Sequence, residues 1–321
     1  MATKPDTLLL AAGFGTRMRP LTRSIPKPLL PIYGVPLLDY HISRLSSRVA
    51  GSPSPGRIVI NGHHLVDQVA AHISEHTEGN RISLSHEPEI LGTGGAIAKA
   101  AGLLTTDPFV VLNADTLFPA PIDEAVRFHQ DHDFLATMVL IQSEIRPNVL
   151  VTGDRVASIL FDRCDPSGFT FTGLHIVSRG LPHLIPAGRF HDIRETYVRL
   201  SDDGRLGAYV WSPDGGAPFL DIGSPSAYLE AHRLLTETSS GRYGFSPSQD
   251  ARIAEVEGFG YLGPNVKVGD RCRVARSVVI VDAEIADGVT LTDSILGPGV
   301  RVTTDTRSRL VTTDGSVAIP G

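Results

Sequence analysis

The sequence predicts an α/β protein with a mostly parallel, mixed sheet, followed by a short C-terminal parallel β-helix. Short apolar runs alternate with helical patterns from Thr7 onward, which is typical of βα units that build a parallel sheet. After residue 258, apolar residues recur six positions apart between Gly and Asp residues, which is typical of β-helix coils. The length of 321 residues fits two domains.

The first half of the chain carries the regular βα pattern. An apolar run at 109–112 ends in Asn113, Ala114 and Asp115, so we expect this acid at the C-terminal end of a strand. In open α/β sheets, ligands bind at that edge. The predicted strands cover 7–12, 57–61, 81–85 and 109–112, and the predicted helices begin near Pro36 and cover 64–76 and 94–104.

The second half is less regular and ends in the repeats. Its predicted elements are strands at 134–141, 169–177 and 205–211 and a helix at 226–236. Apolar residues stand six positions apart at Leu262, Val268, Val274 and Ile280. The next step, to Ile285, is one residue shorter, and the six-residue spacing resumes at Leu291. A second shortened step leads to Leu296, and Val302 follows at the six-residue spacing. A hairpin meander is the alternative to a β-helix of about three coils. We place the α/β domain at 1–236, a Ser/Gly-rich linker at 237–257 and the repeat domain at 258–321.

The composition excludes several classes of protein. Hydrophobic residues make up 41% and charged residues 20%, as in ordinary globular proteins. A net charge of -6 without basic blocks argues against nucleic acid as a partner. No apolar window is long enough for a membrane helix, and the apolar start is too short for a signal peptide, so we expect a cytoplasmic protein. Cys164 and Cys272 show neither disulfide nor zinc spacing.

A glycine-rich loop that carries several cationic side chains follows the first predicted strand. Gly13 and Gly15 lack the third glycine of a dinucleotide-binding fingerprint, and the loop lacks the Gly-Lys-Ser ending of a P-loop. Backbone N–H groups and cations in such a loop bind anions. The loop therefore predicts a polyphosphate site, and its cations are Arg17, Arg19, Arg23 and Lys27.

Five motifs together resemble the sugar-nucleotide pyrophosphorylases, which join a nucleoside triphosphate to a sugar 1-phosphate and release pyrophosphate. The motifs occur in the family's order: the Leu-Ala-Ala-Gly-x-Gly-Thr-Arg-Met run that starts at Leu10, Pro26-Lys-Pro28, Leu91-Gly-Thr-Gly-Gly-Ala96, Asn113-Ala-Asp115 and Asp221-Ile-Gly-Ser-Pro225. The resemblance implies a Rossmann-like nucleotidyltransferase domain and a left-handed β-helix. It also implies a role in making nucleotide sugars for the cell envelope or for glycans, and a homo-oligomer.

The resemblance leaves the substrates open. The Leu91–Ala96 and Asp221-Ile-Gly motifs are similar to those of mannose- and heptose-1-phosphate guanylyltransferases, which implies GTP with mannose 1-phosphate or a heptose 1-phosphate. Asn61-Gly-His-His64 and Phe169-Thr-Phe-Thr-Gly173 are similar to N-acetylmuramate-1-phosphate uridylyltransferases. The alternatives are therefore a UTP-dependent enzyme for an amino-sugar 1-phosphate, or a non-catalytic regulatory subunit that binds a nucleotide sugar.

The resemblance also implies roles for the charged residues. Arg17 would contact the β- and γ-phosphates, and Lys27 would contact the α-phosphate and the sugar phosphate. Asp115 and Asp221 would hold Mg²⁺, with Asp115 counted among the catalytic residues. The alternatives are a solvated loop charge for Arg17 and a helix N-cap for either aspartate.

The nucleotide and the sugar would be bound by further residues. Glu87 would accept hydrogen bonds from the N1–H and N2–H of guanine, and its alternative is a surface acid. The nucleotide-binding set is Leu10, Ala11, Ala12, Gly13, Gly15, Thr16, Arg17, Glu87, Gly92, Thr93 and Gly94, and the sugar-binding set is Asn148, Thr172, Gly173 and Glu195. The family's Glu-Glu-Lys-Pro element is replaced by Phe161-Asp-Arg-Cys-Asp165, so the resemblance does not assign the lysine that contacts the sugar phosphate in many relatives.

The histidines are expected to pack rather than to bind metal. The close pairs are His63 with His64 and His129 with His132, and no third ligand is near either pair in the sequence.

Overall fold

The computed structural model describes residues 4–46, 54–76, 79–161, 163–212, 219–237 and 243–320. The chain divides into two compact units. Unit 1 consists of Met1–Gly13, Ile42–Thr116 and Ala120–Pro218, and unit 2 of Phe14–His41, Leu117–Pro119 and Phe219–Gly321. None of the helices in the described ranges has the length and apolar character needed to span a bilayer.

The helices and strands follow the predicted order, with additional elements between them. The α-helices are α1 (Leu37–Ser46), α2 (Val66–Glu75), α3 (Gly92–Ala100), α4 (Ile122–Gln130), α5 (Ile193–Asp202) and α6 (Pro225–Glu237). The strands up to residue 221 are β1 (Thr7–Leu10), β2 (Pro31–Ile32), β3 (Val35–Pro36), β4 (Ile58–Gly62), β5 (Ile82–His86), β6 (Phe109–Asn113), β7 (Thr116–Leu117), β8 (Ala136–Ile141), β9 (Val149–Thr152), β10 (Arg155–Ile159), β11 (Thr170–Val177), β12 (Leu206–Val210) and β13 (Leu220–Asp221).

The remaining strands are short and lie in the repeat region. They are β14 (Glu257–Leu262), β15 (Lys267–Val268), β16 (Arg273–Val279), β17 (Glu284–Ile285), β18 (Thr290–Thr292), β19 (Ile295–Leu296), β20 (Arg301–Val302), β21 (Thr306–Arg307), β22 (Arg309–Thr312) and β23 (Gly315–Ala318).

Unit 1 is built around a mixed sheet with the strand order β5-β4-β1-β6-β11-β8-β12-β10-β9. Strands β5, β4, β1 and β6 pair in parallel, and β12 pairs in parallel with β8. Strands β11 and β10 run against their neighbours. The α/β class and the mixed, largely parallel sheet are therefore confirmed.

The central strands are mostly apolar because both faces of the sheet are covered. All residues of β8 and nearly all of β1 and β6 are buried. Leu8, Val111 and Met138 from these strands pack with Ile97 of α3 and Tyr197 of α5 in one hydrophobic core. This continuous core holds the C-terminal ends of β1 and β6 in fixed positions.

The C-terminal part of unit 2 consists of parallel strands at a regular spacing. Strand β15 pairs with β17, and β16 pairs with β19. Asn265 bonds Asp282 seventeen residues further on, whereas the spacing is fifteen between Ser294 and Arg309. Two six-residue steps and one five-residue step in the apolar pattern add up to the seventeen-residue coil. The hairpin meander is wrong for these strands, since only β22 and β23 form an antiparallel hairpin among the described residues of the region.

A buried aromatic cluster, the His232 cluster, joins three parts of unit 2: Tyr33, Tyr228, His232 and Tyr261. The His232 ring lies 4.8 Å from the rings of Tyr33 and Tyr228 and 5.6 Å from that of Tyr261. Nδ1 of His232 donates to the carbonyl oxygen of Tyr228 at 2.8 Å, so Nε2 is the acceptor for the N–H of Tyr33 at 3.3 Å. The cluster fixes the segment 14–41 to α6 and β14.

A second contact fixes the same segment to the coils. Leu21 is fully buried, and a Cβ atom at Gly297 would lie 3.2 Å from its Cδ1.

Within the predicted linker, residues 238–242 lie outside the described residues, while Tyr243 and Phe245 are buried. The hydroxyl group of Tyr40 donates to the carbonyl oxygen of Tyr243 at 3.0 Å.

The buried histidines should make stability depend on pH. Burial lowers the pKa of His232 and of His129 to about 4 from the ordinary value of 6.5. Between about pH 7.5 and about pH 5 the unfolded histidine takes up a proton that the folded one does not, so the folded state loses stability as the pH falls. We expect a loss of about 2 kcal/mol in the free energy of unfolding for each of these histidines.

Urea unfolding of wild type, His232→Gln and His183→Gln at both pH values tests this expectation. His183 is exposed and serves as the matched control. The loss between the two pH values should be smaller in His232→Gln than in wild type and unchanged in His183→Gln. A full wild-type loss in His232→Gln would show that this histidine is not the cause.

Candidate functional site

In unit 1, the candidate residues lie at the C-terminal ends of neighbouring parallel strands. Residues 11–13 follow β1, Asn61 is the penultimate residue of β4, and Asp115 follows β6. Leu10 pairs with Asn61 on one side and with Asn113 on the other. The three strand ends therefore form one edge, as ligand sites in open α/β sheets require.

A buried chain of hydrogen bonds ties this edge together. Oδ1 of Asn61 accepts from the N–H of Ala11 at 2.6 Å, and Nδ2 of Asn61 donates to Oε1 of Glu87 at 2.8 Å. The other carboxylate oxygen of Glu87, Oε2, accepts from the N–H of Leu91 at 2.9 Å. Asn61 is 3% and Glu87 1% exposed. Both carboxylate oxygens of Glu87 are thus committed to protein donors.

This geometry changes the expectation for Glu87. The alternative of a surface acid is wrong, because the side chain is buried. A direct hydrogen bond from a base to this carboxylate would have to replace one of the two bonds. The observed bonds instead make Glu87 a support for the ends of β1 and β4 and for the start of α3. Asn61, which the site prediction lacks, is its partner.

Gly94, at the start of α3, packs closely against His191. A Cβ atom at Gly94 would lie 2.5 Å from Cδ2 of His191, so no larger residue fits there. The carbonyl oxygen of His191 accepts from the N–H of Gly94 at 3.0 Å, and the N–H of His191 donates to the carbonyl oxygen of Leu91 at 2.9 Å. This contact alone requires a glycine at position 94, and a base lying flat on the backbone here stays a prediction.

The N-cap alternatives for the two aspartates are also wrong. Asp115 is followed by strand β7, and the N-cap residue of the next helix, α4, is Pro121. Helix α6 begins at Pro225, where Oγ of Ser224 accepts from the N–H of Ala227 at 3.2 Å. Asp115 is half-buried, and the side chain of Asp221 is 44% exposed. Neither carboxylate caps a helix.

In unit 2, the glycine-rich loop places Lys27 beside a left-handed turn. Gly15 has φ of 58°, and a Cβ atom there would lie 2.9 Å from Cγ2 of Thr22 and 3.4 Å from Cβ of Lys27. Oγ1 of Thr22 donates to the carbonyl oxygen of Gly15 at 2.8 Å. Lys27 is only 8% exposed and begins a short 3₁₀ turn after Pro26. The lysine is therefore held in one place by packing.

Arg17 lies against the Asp221-Ile-Gly motif. Its Nη2 is 3.7 Å from Oδ2 of Asp221, and a Cβ atom at Gly223 would lie 2.4 Å from the same Nη2. The Arg17 side chain is 58% exposed, so the ion pair itself contributes little stability. Unit 2 thus brings together Gly15, Arg17, Lys27 and Asp221.

The expected sugar-binding residues differ in what they offer. Thr172 is fully buried, and its Oγ1 donates to the carbonyl oxygen of Val139 at 2.8 Å, so its hydroxyl group already has an internal role. Gly173 touches Asn113, because a Cβ atom there would lie 2.7 Å from Nδ2 of Asn113. The backbone of Asn148 bonds that of Phe169, and the exposed carboxylate of Glu195 lies 3.8 Å from Nδ1 of His191.

His129 and His132 pack against neighbouring side chains, as expected. His129 hydrogen-bonds Thr137 at 2.8 Å and Ser178 at 2.9 Å, and His132 stacks on Phe134 with 5.0 Å between ring centroids. Across the described ranges, no group of three or more His, Cys, Asp or Glu residues is arranged to hold a metal ion. Asp115 and Asp221 carry the hard, solvent-reachable oxygens that Mg²⁺ takes together with phosphate and water.

Comparison with known proteins identifies the family. The family profile described as Nucleotidyl transferase matches residues 6–148. The chain is 30% identical over 280 residues to a Xenopus tropicalis protein named mannose-1-phosphate guanylyltransferase catalytic subunit beta, covering 83% of this chain and 73% of the relative. It is 30% identical over 313 residues to a Mycobacterium tuberculosis protein named mannose-1-phosphate guanylyltransferase, covering 94% and 82%.

A solved structure shares the fold. HddC from Yersinia pseudotuberculosis matches with a TM-score of 0.57 at 24% identity, over 71% of this chain and 97% of that one. The 30% identity to the two guanylyltransferases, over 73% and 82% of their lengths, shows that the chain belongs to the sugar-1-phosphate nucleotidyltransferases, and the family predicted from the motifs is confirmed.

Replacing Glu87 by glutamine should destabilise unit 1. A glutamine side chain has one acceptor oxygen, so either Asn61 or Leu91 would face an NH₂ group and lose its bond. We expect a loss of about 1–3 kcal/mol in the free energy of unfolding. Urea unfolding of Glu87→Gln beside the control Glu89→Gln, whose side chain is exposed, measures it. Equal stability of the two variants would contradict the buried network.

Proposed function

We propose that this chain transfers a nucleotidyl group from a nucleoside triphosphate to a sugar 1-phosphate, giving a nucleotide sugar and pyrophosphate. The family and the names of the relatives support this reaction, and those names favour GTP and mannose 1-phosphate. A heptose 1-phosphate with GTP, and an amino-sugar 1-phosphate with UTP, are the other pairs to test. The observation that carries the proposal is the packing of Lys27 against the Gly15 turn, which fixes a cation in the phosphate loop.

The reaction requires cations because both substrates are anions. An oxygen of the sugar phosphate attacks the α-phosphorus in line, the new O–P bond forms, and the bond from the α-phosphorus to the pyrophosphate oxygen breaks. We assign Arg17 to the β- and γ-phosphates, where its fork can make two hydrogen bonds to the leaving pyrophosphate. Lys27 is assigned to the α-phosphate and the attacking phosphate, where its point charge offsets their repulsion.

Asp115 and Asp221 are the proposed Mg²⁺ ligands. Two carboxylates suit this ion, which takes its other ligands from phosphate and water. When bound, Mg²⁺ supplies charge neutralisation at the phosphates. Apart from this role, Asp221 lies 3.7 Å from Arg17 and so orients the guanidinium group in the absence of substrate.

The remaining assignments follow the strand edge of unit 1. Residues 10–13, together with Gly92, Thr93 and Gly94, are proposed to surround the nucleotide, and Glu87 is proposed to support them through Asn61 and Leu91. For the sugar we propose the backbone at Thr172 and Gly173 with the side chains of Asn148 and Glu195. Gly15 and Thr16 are proposed to present backbone N–H groups to the phosphates.

We further propose that the C-terminal coils form a left-handed β-helix that serves assembly into a homo-oligomer. The parallel strands and their seventeen-residue repeat support a β-helix. The domain boundaries proposed with it are 1–236 and 258–321, joined by 237–257. We place the reaction in the cytoplasm, where nucleoside triphosphates are supplied.

Pyrophosphate release is the direct assay. The full chain is incubated with Mg²⁺, a panel of nucleoside triphosphates and a panel of sugar 1-phosphates, and pyrophosphate is measured for every pair. Release that depends on one triphosphate and one sugar 1-phosphate supports the proposal. Tight binding of a nucleotide sugar without release from any pair would favour the regulatory subunit instead.

Removing the proposed charges should abolish turnover without unfolding the chain. We expect Lys27→Met and Asp115→Asn each to lower kcat by at least about a hundredfold, because each removes stabilisation of charge that develops in the reaction. Lys99→Met and Asp123→Asn are the matched controls, since both side chains are exposed. Circular dichroism verifies folding, and wild-type turnover in a folded Lys27→Met or Asp115→Asn would remove that residue from the mechanism.

The assembly proposal predicts a mass above that of one chain. One chain has a mass of 34.4 kDa, so light scattering after gel filtration should give at least twice this value. A mass of one chain at all concentrations tested would contradict the homo-oligomer.

A further inference from the structure

The glycine-rich loop meets the C-terminal coils at Leu21, a residue that the proposed function does not use. Leu21 begins the 3₁₀ turn Leu21–Arg23, and its side chain is fully buried although Arg23 and Ser24 beside it are exposed. The turn packs against β22. Because an apolar side chain is stabilised by its removal from water, Leu21 anchors the loop on the coils.

Gly297 is the coil residue that lets Leu21 approach. A Cβ atom at this glycine would lie 3.2 Å from Cδ1 of Leu21 and 3.1 Å from Cγ2 of Thr312, and both distances are shorter than ordinary van der Waals contacts. The φ angle of Gly297 is not positive, so its backbone conformation does not require a glycine. The close packing of Leu21 and Thr312 does require one.

Thr22 connects this anchor to the Gly15 turn. It is fully buried, and its Oγ1 donates to the carbonyl oxygen of Gly15 at 2.8 Å. A Cβ atom at Gly15 would lie 2.9 Å from Cγ2 of Thr22 and 3.4 Å from Cβ of Lys27. The methyl group of Thr22 and the base of the lysine side chain therefore lie against the same side of Gly15.

The backbone provides a second connection from Leu21 to Lys27. The carbonyl oxygen of Leu21 accepts from the N–H groups of Ser24 and Ile25, each at 3.2 Å. Ile25 is followed by Pro26, whose ring fixes φ, and then by Lys27. Since only one residue with a fixed φ separates this hydrogen-bonded turn from the lysine, the position of the turn sets the position of the lysine backbone.

We propose that Leu21 and Thr22 are positioning residues for Lys27, and that the C-terminal coils hold them in place through Gly297. The coils then act on the transfer reaction itself, in addition to assembly. This inference rests on the proposed function, in which Lys27 contacts the α-phosphate and the attacking phosphate. Leu21 and Thr22 act through the lysine rather than on the substrates.

A small displacement of Lys27 is enough to slow the proposed reaction. Its charge must lie beside both phosphates while the new O–P bond forms, and electrostatic stabilisation weakens with distance. A misplacement of about 1 Å can cost about a hundredfold in rate. The strand edge of unit 1, which is proposed to surround the nucleotide, does not depend on this lysine. Variants of Leu21 and Thr22 should therefore lower kcat much more than they raise KM.

Thr22→Val keeps the shape of the side chain and removes its hydroxyl group. We expect it to lower kcat by about tenfold, with KM for both substrates within about threefold of wild type. Thr22→Ser keeps the hydroxyl group and should recover most of the activity. The matched control is Thr137→Val, which removes a buried hydroxyl group that bonds His129 in unit 1 and should keep kcat.

A double-mutant cycle with Lys27→Met separates positioning from general damage. If Thr22 acts through Lys27, Thr22→Val has little left to remove once the lysine is gone. Its effect on kcat should therefore fall below about twofold in the Lys27→Met background. An equal loss in both backgrounds, or wild-type kcat in a folded Thr22→Val, would overturn the inference.

Two variants test the contact between the loop and the coils. Leu21→Ala removes the anchor, and Gly297→Val displaces it from the coil side, so each should lower kcat by about tenfold or more. Leu291→Ala removes a leucine that is equally buried inside the coils, and it should keep the kcat of the folded protein. Circular dichroism verifies folding. A loss of kcat in Leu291→Ala as large as in Leu21→Ala would contradict a specific role for the anchor.

Hydrogen exchange measured by mass spectrometry reports on the loop without any substrate. In the full chain, Leu21→Ala and Gly297→Val should raise exchange in peptides covering 15–30 by at least about tenfold, whereas Leu291→Ala should not. Unchanged protection of this segment in Leu21→Ala and Gly297→Val would overturn the inference and leave the proposed function standing. Absence of pyrophosphate from every pair in the panel would overturn the proposed function itself, and the exchange data would still show whether the coils hold the loop.

Discussion

The buried carboxylate of Glu87 is the constraint on which the strand-end edge of unit 1 depends. Its two oxygens accept hydrogen bonds from Nδ2 of Asn61 and from the N–H of Leu91. Oδ1 of Asn61 in turn accepts from the N–H of Ala11. The ends of β1 and β4 and the start of α3 are thereby held by buried groups. A site made from backbone groups needs such support, because a loop free to move would lose the entropy of ordering each time a ligand binds.

The segment 14–41 of unit 2 is held by a different kind of interaction, packing around the His232 cluster. Tyr33 lies in the same segment as Arg17 and Lys27, and its ring and hydroxyl group are fixed by α6 and β14. Leu21, in the middle of the cationic loop, is covered near Gly297. The C-terminal coils therefore contribute to the placement of the glycine-rich loop.

The sequence predicted the framework of the fold well where a single physical pattern dominates. Strands β1, β6 and β8 are mostly apolar because both faces of the sheet are covered there, and the structure places β1, β4, β5 and β6 within a residue or two of the expected positions. Helix α5 was not predicted. Its buried residues include Thr196 and Tyr197 between charged side chains, so its apolar periodicity is weak.

The site was predictable only in part, because its contacts join distant residues. The family motifs predict roles for Arg17, Lys27, Asp115 and Asp221, but no local pattern indicates that Glu87 is satisfied by Asn61 twenty-six residues earlier. His191 fills the space beside Gly94, and the hydroxyl group of Thr172 donates to the carbonyl oxygen of Val139. The contact of Leu21 with Gly297 likewise joins residues that are distant in the sequence, and spacing along the chain does not encode it.

The proposed reaction transfers the nucleotidyl group directly from one phosphate to the other. Its course can be measured from the configuration at the α-phosphorus of the nucleotide sugar made from a single diastereomer of the α-thio triphosphate. One in-line displacement inverts this centre, so we expect inversion. Retention of configuration would reveal a covalent nucleotidyl-enzyme intermediate and would exclude direct transfer.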